Sequence, residues 1–152
     1  MTSLNRYERK KNIPLALKAF AYNLQRSSLQ KGEAVLVIAG GWDARVDENV
    51  EHEQELRKLA KELGIEDKVV FLKSISNDQR LLLLENTKIL LYTPENEHFG
   101  IVPVEAMNIG CVVIACNSGG PLESVEDGVT GFLLPPKTEI WGDKISEMLD
   151  AS

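Results

Sequence analysis

The sequence has no long hydrophobic run. Its longest apolar stretches, Ala34–Gly40 and Val112–Cys116, fall far short of the roughly 18 residues that a membrane-spanning helix needs. The amino terminus, MTSLNRYERKKN, has no apolar core of the kind that signal peptides carry. These absences predict a soluble chain without a membrane span or a secretion signal.

Positive charge, cysteine and histidine are also scarce. Asp and Glu number 23 against 17 Lys and Arg, and the net charge of −6 argues against a nucleic-acid-binding protein. Cys111 and Cys116 are an odd number of residues apart on one predicted strand, so we expect two buried free thiols on opposite faces. His52 and His98 are distant in the sequence and have no metal-ligand spacing. The sequence therefore predicts no metal site.

What the sequence does contain is a regular alternation of strand and helix patterns. The predicted strands are Thr2–Asn5, Ala34–Ala39, Lys68–Leu72, Ile89–Thr93, Val112–Cys116 and Gly131–Leu134. The predicted helices are Asn12–Gln25, Glu48–Leu63, a leucine-rich helix opened by a capping box at Ser76–Gln79, Ile101–Ile109, a short helix after Gly119-Gly120-Pro121, and Glu139–Leu149. Because the central strands are nearly all apolar, we expect helices to cover both faces of the sheet. This predicts one α/β domain over residues 1–152, built as a doubly wound parallel sheet.

The loops that follow the strands are the candidate site, because such sheets bind ligands beyond the carboxyl ends of their strands, where the winding reverses. They are residues 5–12, 40–47, 73–76, 94–100 and 117–121. None of them contains a GxGxxG or GxxxxGK[ST] motif. The sequence therefore argues against a nicotinamide-dinucleotide site and against a P-loop protein.

The first of these loops is basic, with Arg6, Arg9, Lys10 and Lys11 close together. The loop after the fourth strand ends in Phe99-Gly100 and opens a helix, whose first N–H groups are free to bind an anion that glycine allows to approach closely. The two loops are thus placed to clamp a diphosphate from two sides. The alternative for the first loop is a solvated basic turn.

Two glutamates flank the start of this helix. Glu97 precedes it, and Glu105 lies more than one turn inside it. Either carboxylate is able to accept hydrogen bonds from the hydroxyls of a sugar. The alternative is that the two acids only interact with the helix dipole, an effect of about 0.3–1 kcal/mol.

These segments resemble the motifs of a known family. EHFGIVPVE, from Glu97 to Glu105, resembles the E-x7-E motif of retaining glycosyltransferases with the GT-B architecture, specifically in their carboxy-terminal lobe. RYERKK, from Arg6 to Lys11, resembles the Arg-x4-Lys diphosphate clamp of that family. VIAGG, VVFL and NSGGPLE follow in the expected order, and the resemblance covers essentially the whole chain. It implies a Rossmann-like three-layer lobe that binds a nucleotide sugar, with the amino-terminal acceptor lobe absent.

Within the family, the chain resembles the mannosyltransferases that assemble dolichol-linked oligosaccharides. This implies GDP-mannose as the donor, a lipid-linked oligosaccharide as the acceptor, retention of configuration, no cofactor, and the cytosolic face of the endoplasmic reticulum for the intact enzyme. The lobe alone is expected to bind nucleotide without transferring sugar. One departure is Asn12, which stands where many relatives carry glycine. The alternatives are a nucleotide-sugar binding module without catalysis and a transferase that uses a UDP-sugar.

The resemblance also implies a role for each charged candidate residue. Glu97 would hold hydroxyls of the transferred mannose, and Glu105 would hold the ribose hydroxyls of GDP. Arg6 and Lys11 would neutralise the negative charge of the GDP leaving group, so that no metal ion is needed for this purpose.

Backbone and base contacts are implied on two further loops. The backbone of Phe99, Gly100 and Ile101 would face the mannose and the diphosphate. The guanine would lie near Lys73 to Ile75, with Ile75 at the end of that loop. Contacts of this kind are largely to the backbone, so the sequence leaves the identity of the base open.

Overall fold

A computed structural model of the chain describes residues 1–26 and 34–150. Six strands form one sheet in which every neighbouring pair is parallel. The strands are β1 (Thr2–Leu4), β2 (Leu36–Gly40), β3 (Val69–Lys73), β4 (Ile89–Tyr92), β5 (Val112–Cys116) and β6 (Gly131–Leu134). Their order in the sheet, β3-β2-β1-β4-β5-β6, confirms the predicted doubly wound parallel architecture.

Helices connect these strands in the predicted places. They are α1 (Ile13–Arg26), α2 (Asp47–Glu62), α3 (Asn77–Glu85), α4 (Ile101–Ile109), α5 (Pro121–Ser124) and α6 (Thr138–Asp150), with short 3₁₀ turns at Arg9–Lys11 and Glu66–Lys68. The bounds predicted for α4, β5 and β6 are confirmed. The strand predicted at Ala34–Ala39 instead begins at Leu36, where its ladder with β3 starts. Among the described residues, no helix combines the length and the apolar character that crossing a membrane requires.

Each face of the sheet carries its own hydrophobic core. On one face, α1, α2 and α6 bury Phe20, Leu56 and Trp141. On the other face, α3 and α4 bury Leu84 and Ala106. Full burial of a large apolar side chain stabilises a fold by about 1.5–3 kcal/mol. The two cores therefore hold the sheet and its helices together, and the loops at the sheet edge are left to serve a site.

The two cysteines lie on opposite sides of the sheet, although Cys111 directly precedes β5 and only Cys116 belongs to that strand. Cys116 belongs to the first core and Cys111 to the second, and both are buried and free. The prediction of two unpaired thiols is therefore confirmed. Burial, followed by the nearby carboxylate of Glu95, raises the pKa of the Cys116 thiol to about 12. This thiol consequently stays protonated and donates to the carbonyl oxygen of Thr93 at 3.2 Å.

The winding of the sheet reverses between β1 and β4. These strands are neighbours, but the sheet continues from β1 to β2 on one side and from β4 to β5 on the other. The loops that leave their carboxyl ends, residues 5–12 and 93–100, therefore rise side by side at one edge of the sheet. This is the edge at which the sequence predicted a ligand.

Candidate functional site

Two adjoining cavities open at this edge of the sheet. The first, which we call the Glu97 cavity, has a volume of about 410 Å³ and lies between loops 5–12 and 93–100. The second, the Ile75 cavity, has a volume of about 370 Å³ and lies between the loop after β1 and the loops after β2 and β3. Leu4, Asn5 and Arg6 line both cavities, which therefore form one groove along the edge of the sheet.

The loop after β1 is fixed by the buried side chain of Tyr7. Its hydroxyl lies 3.1 Å from a carbonyl oxygen of β2 and 2.9 Å from one of β3, and these two acceptors share its single proton. Burial raises the pKa of this hydroxyl above its ordinary value, which keeps the proton in place. Gly40 allows the loop to pass, because a Cβ there would overlap the carbonyl oxygen of Asn5. With Tyr7 buried, the exposed Arg6 before it lies in the groove.

Of the four cations in this loop, three reach the Glu97 cavity. Arg6, Lys10 and Lys11 line it, whereas Arg9 pairs with two glutamates of α2, each at 3.1 Å. The reason is local, since residues 9–11 form a 3₁₀ turn, in which successive side chains point about 120° apart. The alternative of a solvated basic turn therefore holds for Arg9 alone, while the other three cations face the groove.

Lys11 and Glu97 meet across the groove. The Nζ atom of Lys11 lies 2.8 Å from Oε1 of Glu97, and the two side chains are only 17% and 23% exposed. The buried hydroxyl of Thr93 donates to the carbonyl oxygen of Lys11 at 2.7 Å and anchors this end of the loop. The next residue, Asn12, has a φ of 53°, in the left-handed region that glycine and asparagine adopt most readily. Asn12 therefore occupies a backbone conformation that glycine also adopts readily.

The loop that carries Glu97 rests on the segment 117–123. The N–H of Gly120 donates to the carbonyl oxygen of Glu97 at 2.7 Å. A Cβ on Gly119 or on Gly120 would overlap backbone atoms of residues 96–99. The two glycines of NSGGPLE are thus explained by the close approach of two chains. Their contact with Glu97 is a long-range feature that the motif itself does not reveal.

Helix α4 begins at the wall of the Glu97 cavity. Gly100 is its N-cap residue and Ile101 its first residue, so the first N–H groups of α4 have no acceptor within the helix. Phe99 and Ile101 also line the cavity, and their side chains are largely exposed. A Cβ on Gly100 would press against the hydroxyl of Tyr92. Burial first, and the carboxylate of Glu97 second, raise the pKa of Tyr92, so this hydroxyl is a neutral group beside the cavity.

Glu105 is held by a residue that the sequence analysis did not single out. Nη1 of Arg80 lies 2.7 Å from Oε2 of Glu105, and Nη2 lies 3.3 Å from Oε1. Arg80 belongs to α3 and lines the Ile75 cavity together with Ile75. Glu105 is therefore connected to the groove through Arg80. In the sequence, Arg80 is one polar residue beside a run of leucines, and no local pattern distinguishes it from a surface residue.

The structure thus sorts the predicted residues into three positions. Arg6, Lys11, Glu97 and Phe99–Ile101 surround the Glu97 cavity, Ile75 lines the adjoining one, and Glu105 lies behind Arg80. Within residues 1–26 and 34–150, no group of three or more His, Cys, Asp and Glu side chains is placed to hold a metal ion. The groove combines cations, a helix N-terminus and carboxylates, a set of groups suited to a ligand that carries both phosphate and hydroxyl groups.

Comparison with known proteins identifies the class. The whole chain, residues 1–152, matches the family model described as glycosyl transferases group 1. The chain therefore belongs to this family, and its fold matches structures of GT-B glycosyltransferases. One relative is the alpha-1,3/1,6-mannosyltransferase ALG2 of Homo sapiens, which is 50% identical over 150 residues that cover 98% of this chain and 36% of the relative. The chain thus spans about a third of the length of the curated relatives that it matches.

Solved structures show the same fold. Anabaena HepE in complex with UDP has a TM-score of 0.80 and 27% identity, over 98% of this chain and 39% of that one. The C-terminal domain of the glycosyl transferase group 1 family protein LpcC from Francisella tularensis has a TM-score of 0.82 over 99% of this chain and 75% of that one. At 23% identity, the second likeness is one of fold alone.

Proposed function

We propose that this chain is the donor-binding lobe of a retaining mannosyltransferase, which uses GDP-mannose and elongates a lipid-linked oligosaccharide on the cytosolic face of the endoplasmic reticulum. The observation that carries the proposal is the meeting of Arg6, Lys11, Glu97 and the start of α4 around one cavity at the reversal of the sheet. The identity of 50% to a mannosyltransferase supports the choice of sugar. Because the chain spans about a third of such relatives, transfer is proposed for a longer enzyme that contains this lobe.

The proposed chemistry is mainly electrostatic. When the bond between the sugar and the phosphate breaks, negative charge develops on the GDP leaving group. Arg6, Lys11 and the first residues of α4 line the Glu97 cavity, to which we assign the diphosphate. Cations and dipoles that are fixed before the reaction lower its barrier, since they need no reorganisation during the step.

Glu97 takes a supporting role in this proposal. Its carboxylate is paired with Lys11. When the donor binds, Lys11 turns to the diphosphate, and the carboxylate accepts hydrogen bonds from hydroxyls of the mannose. With retention by attack on the same face as the departing phosphate, Glu97 is not a covalent nucleophile. It orients the sugar so that the anomeric carbon faces the acceptor.

The nucleoside is assigned to the Ile75 cavity. This cavity adjoins the Glu97 cavity at Arg6 and is lined by Ser74, Ile75 and Arg80, the first two from the loop assigned to guanine. Glu105 is assigned to the ribose hydroxyls, which it would meet beside Arg80. In this assignment the base, the diphosphate and the sugar of the donor lie one after another along the groove at the edge of the sheet.

A panel of ligands in a thermal-shift assay tests this proposal. We expect GDP and GDP-mannose to raise the melting temperature of the chain more than UDP, UDP-GlcNAc or NAD, because a ligand that binds only the folded state stabilises it. A transferase that uses a UDP-sugar is the second candidate, and the likeness to HepE in complex with UDP favours it. Stabilisation by UDP and its sugars alone would select that candidate. Stabilisation by NAD alone would overturn the assignment of the groove to a nucleotide sugar.

A further inference from the structure

The pair formed by Arg80 and Glu105 joins two helices at the rim of the groove. Two guanidinium nitrogens of Arg80 meet the two carboxylate oxygens of Glu105, at 2.7 and 3.3 Å. The side chains are partly buried, at 27% and 20% exposed. A two-pronged contact of this kind fixes the orientation of a carboxylate as well as its charge, which a single lysine contact does not do.

Arg80 is itself held in a defined place by the start of α3. The Ser76 hydroxyl accepts from the N–H of Gln79 at 3.1 Å, and the Gln79 side chain accepts from the N–H of Ser76 at 2.9 Å, which confirms the predicted capping box. The N–H of Arg80 donates to the carbonyl oxygen of Ser76 at 2.9 Å. Ile75, which lines the same cavity, immediately precedes this box. The wall of the Ile75 cavity and the residue that holds Glu105 therefore form one rigid unit.

The pair is not needed to hold the two helices in place. Helix α3 buries Leu84 in the core, and α4 buries Pro103 and Ala106. A partly exposed ion pair adds little to the stability of a fold. The geometry instead matters for what the carboxylate can still accept. Arg80 donates to Oε1 of Glu105, whereas Oε2, which is buried, has no hydrogen-bond partner among the described residues. A buried carboxylate oxygen without a partner is suited to accept a hydrogen bond from a ligand hydroxyl.

We infer that Arg80 is a positioning residue for nucleotide binding, which orients the Glu105 carboxylate toward the ribose 2′- and 3′-hydroxyls and so sets the preference for a ribonucleotide. This inference rests on the proposed function, since it assigns a role within the same groove. It predicts that the effect of Arg80 depends on the presence of those hydroxyls in the ligand. A residue that contacted the phosphates, or that only stabilised the fold, would act on nucleotides with and without the hydroxyls alike.

Calorimetric titration of the chain with GDP and with 2′,3′-dideoxy-GDP tests the inference. We expect the unaltered chain to bind GDP about tenfold more tightly than the dideoxy nucleotide, in line with the loss of a charge-assisted contact. Arg80→Ala should weaken GDP by about tenfold and leave the dideoxy nucleotide within about twofold. Arg45→Ala is a matched control, because it removes one arginine from an ion pair with Asp43 and lies outside both cavities. If Arg80→Ala folds poorly, Arg80→Lys keeps the charge but loses the two-pronged contact, and it should show the same selective loss on a smaller scale.

The outcomes separate this inference from the proposed function. Tight GDP binding by the unaltered chain, with equal losses for both nucleotides in Arg80→Ala, would retain the groove and overturn the positioning role. Unchanged binding of both nucleotides in Arg80→Ala would overturn it as well. Failure of the unaltered chain to bind GDP would overturn the proposed function and the inference together.

Discussion

Replacing Glu97 with glutamine should make the lobe bind GDP more tightly. The carboxylate lies 2.8 Å from Nζ of Lys11, with both side chains mostly buried. It therefore competes with the diphosphate for the cation, and it also repels the diphosphate. Glutamine has nearly the same shape but no charge, so Glu97→Gln releases Lys11 for the ligand.

The size of this change in GDP affinity follows from the free energy of the ion pair between Lys11 and Glu97. Exposed ion pairs contribute about 0.2–1 kcal/mol net, and this partly buried pair belongs at the upper end of that range. Since 1.4 kcal/mol is tenfold in affinity, GDP should bind about two- to fivefold more tightly to Glu97→Gln. Lys11→Ala removes a charge-assisted contact worth about 1.5–3 kcal/mol and should weaken GDP by tenfold or more. The two partners of one ion pair are thus predicted to act with opposite signs.

Calorimetric titration with GDP measures both variants. Glu95→Gln is the matched control, because it removes the same charge from the same exposed loop but does not line the cavity. It should leave the affinity within about twofold of the unaltered chain. In a longer relative that carries this lobe, Glu97→Gln should nevertheless reduce mannosyl transfer, since the sugar loses its acceptor. Weaker GDP binding in Glu97→Gln, comparable to that in Lys11→Ala, would refute the reasoning.

Three further predictions follow from the structure. The double substitution Arg6→Ala with Lys11→Ala should reduce GDP affinity by about a hundredfold or more without unfolding the chain, because each of the two charge-assisted contacts is worth about 1.5–3 kcal/mol. Arg9→Ala, whose charge faces α2, should change the GDP affinity little, and equal losses in the two variants would show that the groove does not select among these cations. Asn12→Ala should lower the free energy of unfolding by roughly 1 kcal/mol in urea denaturation, because a left-handed backbone is strained for alanine. Asn12→Gly should be nearly neutral in the same measurement. A larger loss in Asn12→Gly than in Asn12→Ala would contradict the left-handed conformation of residue 12. Burial raises the pKa of Cys116 from 9.0 to about 12, so the folded state keeps a proton that the unfolded chain loses, and the free energy of unfolding should fall as the pH rises from about 9 toward 12. Cys116→Ala should flatten part of that fall in urea titrations at several pH values, and an unchanged slope would exclude this thiol as its source.

The architecture could be predicted because its signals are local. Glycine and proline mark where elements begin and end, as in α4, where Gly100 precedes the helix and Gly110 closes it with a φ of 100°. The apolar run Val112–Cys116 has the length of a buried strand and is one. The capping box formed by Ser76 and Gln79 likewise predicts the start of α3 from only four residues of sequence. Each of these features is decided by neighbours in the chain.

The contacts within the site could not be predicted in the same way. The pairs Lys11–Glu97 and Arg80–Glu105 join residues from different βα units, so no periodicity links them. Arg9 points away from the groove because residues 9–11 form a 3₁₀ turn, and a run of cations in the sequence does not predict such a turn. The sequence could therefore place the groove by topology and by resemblance, but which side chains pair within it depends on the packing of loops that are distant in the chain.

Backbone amide shifts in the isotope-labelled chain, followed by NMR during a titration with GDP-mannose, test the central claim most directly. The account predicts saturable shifts that concentrate in three segments, residues 5–12, 73–76 and 96–102, which contain most of the residues that line the two cavities. The same titration with UDP-GlcNAc should give smaller shifts at equal concentration. Saturable shifts that instead concentrate on the opposite edge of the sheet, or no saturable shift in these three loops, would contradict the assignment of this groove to a nucleotide-sugar donor.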